Sequence, residues 1–563
     1  MQKIYRLREK TPEAVNQALA AHPEIVRDLL HIRGITDAEA AEQFLSPSFE
    51  RDSHDPFLMP DMDIAVERIR RAAHAGEYIS VWSDYDCDGI PGGVALTEFL
   101  RAIGCRVRHY IPHRHEEGYG LNIAGLSELA AEGIKLIITV DLGTSDVLPV
   151  AHARELGMEV IIADHHLPQE IMPDALAILN PYRADSKYPF QHLCGAGVAW
   201  KLMQGVLARE RFGLPEGKEK WLLDLVGLAT LSDMVPLVDE NRMLASYGLL
   251  VIRRNRRPGL QALLKLLRIN PRTLTEDDLT FMVSPRINAA SRMESPETAA
   301  RLLASQDADE SAELAKTLNR INDERKGAVA ATVKEARSRL KKTGAVKSNI
   351  IVMGNPKWRP GILGLVANSL MESEGVPVFL WGREGSEMLK GSCRSNTLNV
   401  VDIMSATGGI LAGFGGHEFA GGFSMQEERA HELEPHLASA YESLLSQGTP
   451  QKEIPVDKEL SLEEIPQTLR QVNRLSPFGE GNRKPLFMFP NVSISRMRTF
   501  GKANDHLELF LSGAGATETS GISFFSTPES FQKNPTEGVR ADIVGHVEID
   551  FRGRPRLRVV DIL

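Results

Sequence analysis

Three short apolar runs in this chain each end in acidic or histidine residues, and that arrangement limits both the fold and the chemistry open to it. Tyr78-Ile-Ser-Val-Trp82 runs into Ser83-Asp84-Tyr85-Asp86-Cys87-Asp88-Gly89, Leu136-Ile-Ile-Thr-Val140 into Asp141-Leu-Gly143, and Val160-Ile-Ile-Ala163 into Asp164-His165-His166. Short β-branched runs bounded by Gly and acidic residues predict buried parallel strands. In open parallel sheets ligands bind beyond the carboxyl ends of the strands, so three such ends share one crevice. The carboxylates and imidazoles gathered there would repel one another and lose hydration without a counter-ion. Divalent metal resolves that conflict.

The surrounding sequence supplies the rest of such a sheet. From Asp61 to about residue 255 strands and helices alternate: helix over Ala65–Ala73, the first strand, helix over Gly93–Ile103, strand over Val107–Ile111. Helix over Ala124–Glu132, the second strand, helix over Leu148–Leu156 and the third strand follow. This βαβ rhythm predicts a doubly wound parallel sheet. Residues 1–60 predict an N-terminal helical segment, with starts at Thr11-Pro-Glu and Thr36-Asp-Ala-Glu. Residues 61–304 form the first α/β domain, and 305–343 one long charged helix through Leu318, Ile321, Val329, Val333 and Leu340, unbroken before Gly344. A second α/β unit spans 344–447, opening with Ser348-Asn-Ile-Ile-Val-Met353, and Gly448-Thr-Pro450 is a linker. Residues 448–563 carry short strand-like runs (Leu507–Leu511, Ala541–Val547, Leu557–Ile562) that predict a small β-barrel.

Composition narrows the setting. At 563 residues, three to four domains are expected at about 150 residues each. No stretch approaches the roughly 20 apolar residues of a membrane span, and the first ten residues lack an apolar secretion core. The four cysteines, Cys87, Cys105, Cys194 and Cys393, are scattered. That argues against disulfides or a thiolate zinc site and for the cytoplasm. The net charge of −10 does not advertise a nucleic-acid partner, although Arg253-Arg254-Asn-Arg256-Arg257 and Arg552-Gly-Arg554-Pro-Arg556-Leu-Arg558 are locally basic. By themselves these two runs fit a solvated face equally well.

Asp84, Asp86 and Asp88, closed by Gly89, turn alternate side chains toward one point, and Asp86 and Asp88 are natural ligands for two neighbouring cations. An EF-hand loop shares this spacing but requires a Glu where Ala95 stands, and an incoming helix rather than a strand. Asp141 reaches from the next strand end to bridge two metals, and His165 adds an imidazole that Asp164 orients. Together, Asp84-Tyr-Asp86-Cys-Asp88-Gly and Asp164-His165-His166 resemble the DHH phosphoesterase family, and the whole chain looks like its RecJ branch of single-strand-specific exonucleases. Further motifs arrive in that family's order: Leu193-Cys-Gly-Ala-Gly-Val-Ala-Trp200, Leu228-Ala-Thr-Leu-Ser-Asp233 and Pro285-Arg286-Ile-Asn288-Ala-Ala-Ser-Arg292. Trp358-Arg-Pro-Gly-Ile-Leu-Gly364, Gly391-Ser392-Cys-Arg394-Ser395 and Phe414-Gly-Gly-His417 resemble the associated DHHA1 domain. Pro477-Phe-Gly-Glu-Gly-Asn482 and Gly501-Lys-Ala-Asn-Asp-His506 resemble the trailing OB-fold domain. Three positions depart from the pattern: Trp82 where many relatives carry His, Pro91-Gly92-Gly93 in place of a Thr or Ser start, and Ser291 for a Gly.

The resemblance implies two α/β domains, DHH and DHHA1, joined by a long helix, with a C-terminal OB-fold β-barrel. It implies a fourth metal carboxylate at Asp233 and a two-metal site of Mn2+ or Mg2+, which the carboxylate-rich donor set also suits. Two cations roughly 3.5–4 Å apart activate a water and stabilise attacking and leaving oxygens, with His166 over the scissile phosphate. Arg114, Arg286, Arg292, Ser392 and Arg394 are expected on the terminal and neighbouring phosphates, and Tyr119 on a base. The bland alternative for each arginine is a salt bridge, and His417 either contacts phosphate or caps a helix. The implied activity is 5′-to-3′ hydrolysis of single-stranded DNA to mononucleotides in repair and recombination. The implied protein is a monomer meeting single-stranded-DNA-binding protein and a RecQ-type helicase. Two other readings stand beside it: a phosphodiesterase on short oligonucleotides or cyclic dinucleotides, and a non-catalytic replication scaffold.

Overall fold

The three acidic runs leave neighbouring strands of one sheet, inside a unit formed by residues 54–233 and 247–450. The structure, a computed structural model, describes residues 3–343, 349–383, 388–446, 453–501, 504, 506–513, 515, 518–550 and 552–563. Gly344, Ser348, the linker Gly448–Pro450, and Lys502, Ala503 and Asp505 of the last motif lie outside the described residues. Strands β1 (Tyr78–Ser83), β2 (Arg106–Tyr110), β3 (Leu136–Val140), β4 (Glu159–Ala163) and β5 (Ala177–Leu179) run parallel in the order β2-β1-β3-β4-β5. The chain leaves β1 on one side for β2 and returns on the other for β3. Strand order therefore reverses between β1 and β3, and the carboxyl ends there open a crevice. Ser83 is in register with Val140, Val140 with Ala163, and Ala163 with Leu179. Asp84, Asp141 and Asp164 thus leave the sheet as one row.

Helices α1 (Gly89–Ala102) and α2 (Gly195–Arg209) begin at that row. A Cβ on Gly92 would meet Val140 Cγ1 at 2.8 Å and Ala196 Cα at 2.9 Å, and one on Gly93 would meet Ser83 Cβ at 2.7 Å. Only glycine lets the start of α1 approach the sheet and α2 this closely. Pro91 stands in the first turn, where its missing N–H has no helical acceptor to serve. The Pro-Gly-Gly start is thereby a packing solution. Trp82 is likewise a core residue: fully buried, it stacks on Tyr110 at 4.1 Å among Leu121, Leu126, Ile137 and Leu142.

Helix α3 (Leu223–Ser232) ends at Asp233, and α4 (Ser284–Met293) carries the second arginine segment. The long helix α5 spans Ala308–Thr343. Asp307 starts it by accepting the Glu310 N–H at 2.7 Å. The second sheet is formed by β6 (Ile351–Gly354), β7 (Val378–Gly382), β8 (Met388–Arg394), β9 (Gly413–His417) and β10 (Ala420–Gln426), in the order β9-β10-β8-β7-β6. Only β6 and β7 pair in parallel. Helix α6 (Pro360–Glu374) packs on it through Leu363, Val366, Ala367 and Leu370.

The other unit comprises residues 1–53, 234–246 and 451–563. Its centre is a closed barrel of β11 (Phe487–Phe500), β12 (His506–Ser512), β13 (Glu518–Ser523), β14 (Arg540–Ile549) and β15 (Pro555–Ile562). The order is β11-β12-β13-β15-β14, and β14 pairs back onto β11, so the sheet has no free edge among these strands. The N-terminal residues are more than helical. Ile4–Leu7 is a strand paired in parallel with Glu453–Val456, and Leu19, Val26, Leu29 and Leu30 share one core with Phe487, Phe489, Leu509 and Ile543.

Placing an imidazole at Trp82 removes a buried aromatic stack. Trp82→His is expected to destabilise the fold by about 3 kcal/mol in urea denaturation. Any metal-induced rise in melting temperature should persist, because the position is in the core.

Candidate metal centre and adjoining cleft

Each acidic side chain of the row is held by backbone amides. The Asp88 carboxylate accepts the N–H groups of Gly195 at 2.6 Å and Ala196 at 2.9 Å, at the N-terminus of α2. Asp86 Oδ1 accepts those of Asp88 at 2.8 Å and Gly89 at 3.1 Å. The Cys87 N–H donates to Asn288 Oδ1 at 2.8 Å, tying this loop to α4. Asp141 takes a left-handed backbone, φ 65°, a conformation that Asp tolerates better than most residues. A Cβ on Gly195 would meet the Asp141 carboxyl carbon at 2.9 Å, so glycine is required for this approach.

These carboxylates converge with one imidazole. His165 Nε2 lies 3.1 Å from Asp141 Oδ1, 3.7 Å from Asp233 Oδ2 and 3.8 Å from Asp88 Oδ2. Three sets bring their ligand atoms within 4.8 Å of one another: Asp88, His165 and Asp233; Asp84, Asp86 and Asp141; Asp141, His165 and His166. Asp141 thus stands between two adjacent donor clusters. Asp164 serves a different imidazole from the one expected. Its Oδ1 accepts the backbone N–H groups of His165 at 2.8 Å and His166 at 3.2 Å, and the imidazole bonded to it is that of His166, through Nδ1 at 2.8 Å. Thr144 donates its N–H to Asp164 Oδ2 at 2.9 Å.

The electrostatics ask for a cation. Burial first, and then the neighbouring carboxylates, push Asp84, Asp88, Asp141 and Asp233 above the usual carboxylate range. Burial pulls His165 down, although Asp88 opposes it. Asp164 behaves oppositely: burial would raise it, but the His166 bond and charge and the Thr144 side chain hold it below its usual range. His166 is correspondingly raised by Asp164 against the effect of its own burial. Asp84 Oδ1 is buried without a hydrogen-bond partner. An orphaned oxygen amid carboxylates that resist ionising is the signature of a group missing its counter-ion. Carboxylate oxygens with one imidazole fit a hard divalent cation.

A cleft of about 340 Å³ adjoins this centre. Arg114, Tyr119 and Ser392 line it together with Tyr85, His115 and Lys390. Arg114 lies over the Tyr85 ring at 4.8 Å. The Tyr119 hydroxyl donates to the Asp141 carbonyl at 3.2 Å and stands 3.4 Å from His166 Nδ1, so one residue belongs to both cleft and metal centre. Arg292 donates to the Gly361 carbonyl at 2.9 Å. Arg394 lies against Gly364, where a Cβ would meet its Nη2 at 2.9 Å.

Two expected phosphate ligands sit elsewhere. Arg286 is buried and committed to Asn319 Oδ1 at 3.0 Å and the Met282 carbonyl at 2.6 Å, a helix-packing role. His417 is exposed at the end of β9, and the nearby helix Val400–Ser405 is capped by the Asn399 side chain, with the Val400 N–H going to the Glu418 carbonyl, rather than by His417. Lys390 escaped the sequence reasoning, although strand alternation puts residues 390, 392 and 394 on one face of β8. Asn288 lies inside the Pro285–Arg292 motif and His115 beside Arg114; their partners come from distant segments, so spacing gives no sign of them.

Among known families, the DHH family N-terminal domain matches residues 78–230, the DHHA1 domain residues 347–444, and the RecJ OB domain residues 456–561. The single-stranded-DNA-specific exonuclease RecJ of Bacillus subtilis is 34% identical over 545 residues, covering 95% of this chain and 67% of that protein. Its counterpart from Salmonella typhimurium is 31% identical, covering 100% and 99%. Among solved structures, RecJ from Thermus thermophilus in complex with Mn2+ aligns with a TM-score of 0.82 at 27% identity, over 100% of this chain and 79% of that one. The same protein with Mg2+ aligns at 0.75 and 25% identity, over 99% and 78%.

Carboxyl groups raised in the folded state bind protons more tightly there than in the unfolded chain. Their stabilising contribution is present in acid and is lost as pH rises through the folded values. The chelated protein is therefore expected to lose melting temperature from about pH 5 to about pH 8 in scanning calorimetry. Saturating Mn2+ should restore several degrees at the upper end. Asp141→Asn should melt above the parent in EDTA at about pH 8 and gain less from Mn2+. Identical melting of chelated and Mn2+-treated parent across that range would contradict the centre.

Proposed function

The chain belongs to the RecJ family, and on that footing we propose that it is a metal-dependent exonuclease that hydrolyses single-stranded DNA from the 5′ end to mononucleotides. The observation that carries this reading is the contact of opposite charges through Tyr119. An acidic centre able to hold divalent cations opens onto a cleft lined by Arg114, Lys390 and Ser392. A cationic cleft beside the reacting position favours a terminal phosphate, and a terminal phosphate one residue from the cut makes the enzyme an exonuclease. The closed OB barrel adds a surface suited to polymer rather than to short oligonucleotides or cyclic dinucleotides.

Asp88, His165 and Asp233 would hold one cation, Asp84 and Asp86 another, and Asp141 would be common to both. The cofactor is Mn2+ or Mg2+, and in this donor set it supplies an activated water and charge neutralisation at the phosphoryl oxygens. Asp164 bonds to the His166 ring at Nδ1 and raises its pKa, an arrangement that favours the imidazolium and leaves Nε2 to donate to a non-bridging oxygen or the leaving group. Arg114, Arg292, Lys390, Ser392 and Arg394 bind the 5′ phosphate, and the half-exposed Tyr119 ring stacks on the first base. Tyr85 orients Arg114 from beneath. Retention of every proposed ligand supports catalysis over a scaffold role. The family reading extends to a cytoplasmic monomer in repair and recombination, meeting single-stranded-DNA-binding protein and a RecQ-type helicase. Four buried free thiols accord with that compartment.

A single strand labelled at its 5′ phosphate, incubated with the protein and Mn2+, should yield labelled mononucleotide at the earliest times. EDTA or a blunt duplex should suppress release. Label retained in long products that shorten gradually would reverse the polarity, and no release in either metal would sink the nuclease reading. His166→Ala is expected to lower kcat by about 10²- to 10⁴-fold while keeping the Mn2+-induced melting shift.

A further inference from the structure

Asn319, Asn322 and Arg325 recur at three-residue spacing on α5, which sets them along one face of the helix. Asn319 is committed, accepting from Arg286 and donating to Asp323 at 3.1 Å. Asn322 is fully buried, and neither its Nδ2 nor its Oδ1 has a hydrogen-bond partner. The Nε of Arg325 is buried and unpartnered as well. Two adjacent orphans on one helical face point to a group that arrives from outside.

The carboxylates near Arg325 are already engaged. Asp323 bonds to Asn319 and stands 3.5 Å from Lys326; Glu324 accepts from Arg320 at 2.7 Å and Glu294 from Arg320 at 3.0 Å. Besides Arg286, which holds Asn319, two further guanidinium groups share the surroundings. Arg292 donates to the Gly361 carbonyl, and Arg114 lies on the Tyr85 ring. Neither is paired with a carboxylate among the described residues. Burial, and after it Arg114 and Arg325, pull the Arg292 guanidinium down to about 10, so all three act on one region. Partly buried guanidinium groups left in mutual repulsion are stabilised by an anion that enters with the substrate.

We propose that Arg325 is a further phosphate-binding residue, donating from the connecting helix to a backbone phosphate of the bound strand beside the one held by Arg114 and Arg292. The proposal deepens the nuclease reading and rests on it for the identity of the strand. It gives the helix that joins the two sheets a direct hold on substrate. A phosphate gripped by the connector couples occupancy of the cleft to the placement of both α/β domains around the metal centre.

The test is fluorescence anisotropy of a 5′-phosphorylated, 3′-labelled single strand with full-length protein in EDTA, across a range of monovalent salt. Arg325→Gln is expected to raise Kd about tenfold. The slope of log K against log salt should become shallower by about 0.7, the loss of one phosphate contact on a single strand. Arg325→Lys should keep the parental slope, and Arg325→Met, which preserves the packing of the stem, should behave as Gln does. A parental slope in both uncharged variants, or failure of both to fold while Lys folds, would overturn the proposal and assign Arg325 to helix packing. Binding is read without hydrolysis, so a parent that binds but never cleaves refutes the nuclease reading and leaves the Arg325 comparison intact.

Discussion

Mutual repulsion among buried carboxylates, which near neutral pH calls for a cation to offset it, is the constraint around which the larger unit is arranged. Asp84, Asp88 and Asp141 are almost completely buried. An isolated ionised carboxylate in such a setting is strongly unfavourable, and several together compound the cost. The fold responds with fixed dipoles. Asp88 sits on the first amides of α2, Asp86 on those of α1, and Asp164 on the Thr144 amide and the His166 ring. These donors hold the side chains in place but leave Asp84, Asp141 and Asp233 short of positive charge. The deficit is what gives the centre its affinity for divalent metal.

That requirement explains backbone features that otherwise look arbitrary. The parallel register aligns three strand ends at the reversal of strand order, so the acidic row follows from topology. Gly92, Gly93 and Gly195 remove the Cβ atoms that would keep α1 and α2 away from the row. The left-handed turn at Asp141 redirects its carboxylate just where two donor clusters meet. A residue with a bulkier or β-branched side chain would be strained there.

How much of this was legible in the sequence depends on whether a signal is local. The ends of β1, β3 and β4, and the acidic residues on them, follow from runs of four to six residues bounded by breakers, and so does the long helix once Asp307 is seen as its cap. Three of the five barrel strands, β12, β14 and β15, were legible for the same reason, whereas β11 and β13 were not. Side chains whose partners lie far along the chain were not. Trp82 looks like a lost ligand in one dimension and is a stacked core residue in three. Arg286 and Arg292 share one motif, yet α5 claims the first and the cleft region takes the second. The strand Ile4–Leu7 has a sequence too short and polar to announce itself, because its stability comes from pairing with Glu453–Val456.

Net charge misleads for a related reason. A chain of −10 overall nevertheless lines its cleft with Arg114 and Lys390 and leaves Arg292 and Arg325 without carboxylate partners among the described residues. The two basic runs that stand out in sequence do other work in part: Arg257 is bound between Glu98 and Asp224, and Arg556 pairs with Glu548. What matters for a phosphodiester is the short distance over which the sign of the charge changes. Cations alone would hold a strand without cutting it, and the acidic centre alone would repel it. Tyr119, bonded to the Asp141 carbonyl and exposed in the cleft, marks the boundary where the two fields meet. On the proposed reading, a phosphate seated on the guanidinium side would present its neighbour to the metal side, and the spacing between the two regions would then select the bond to be cut.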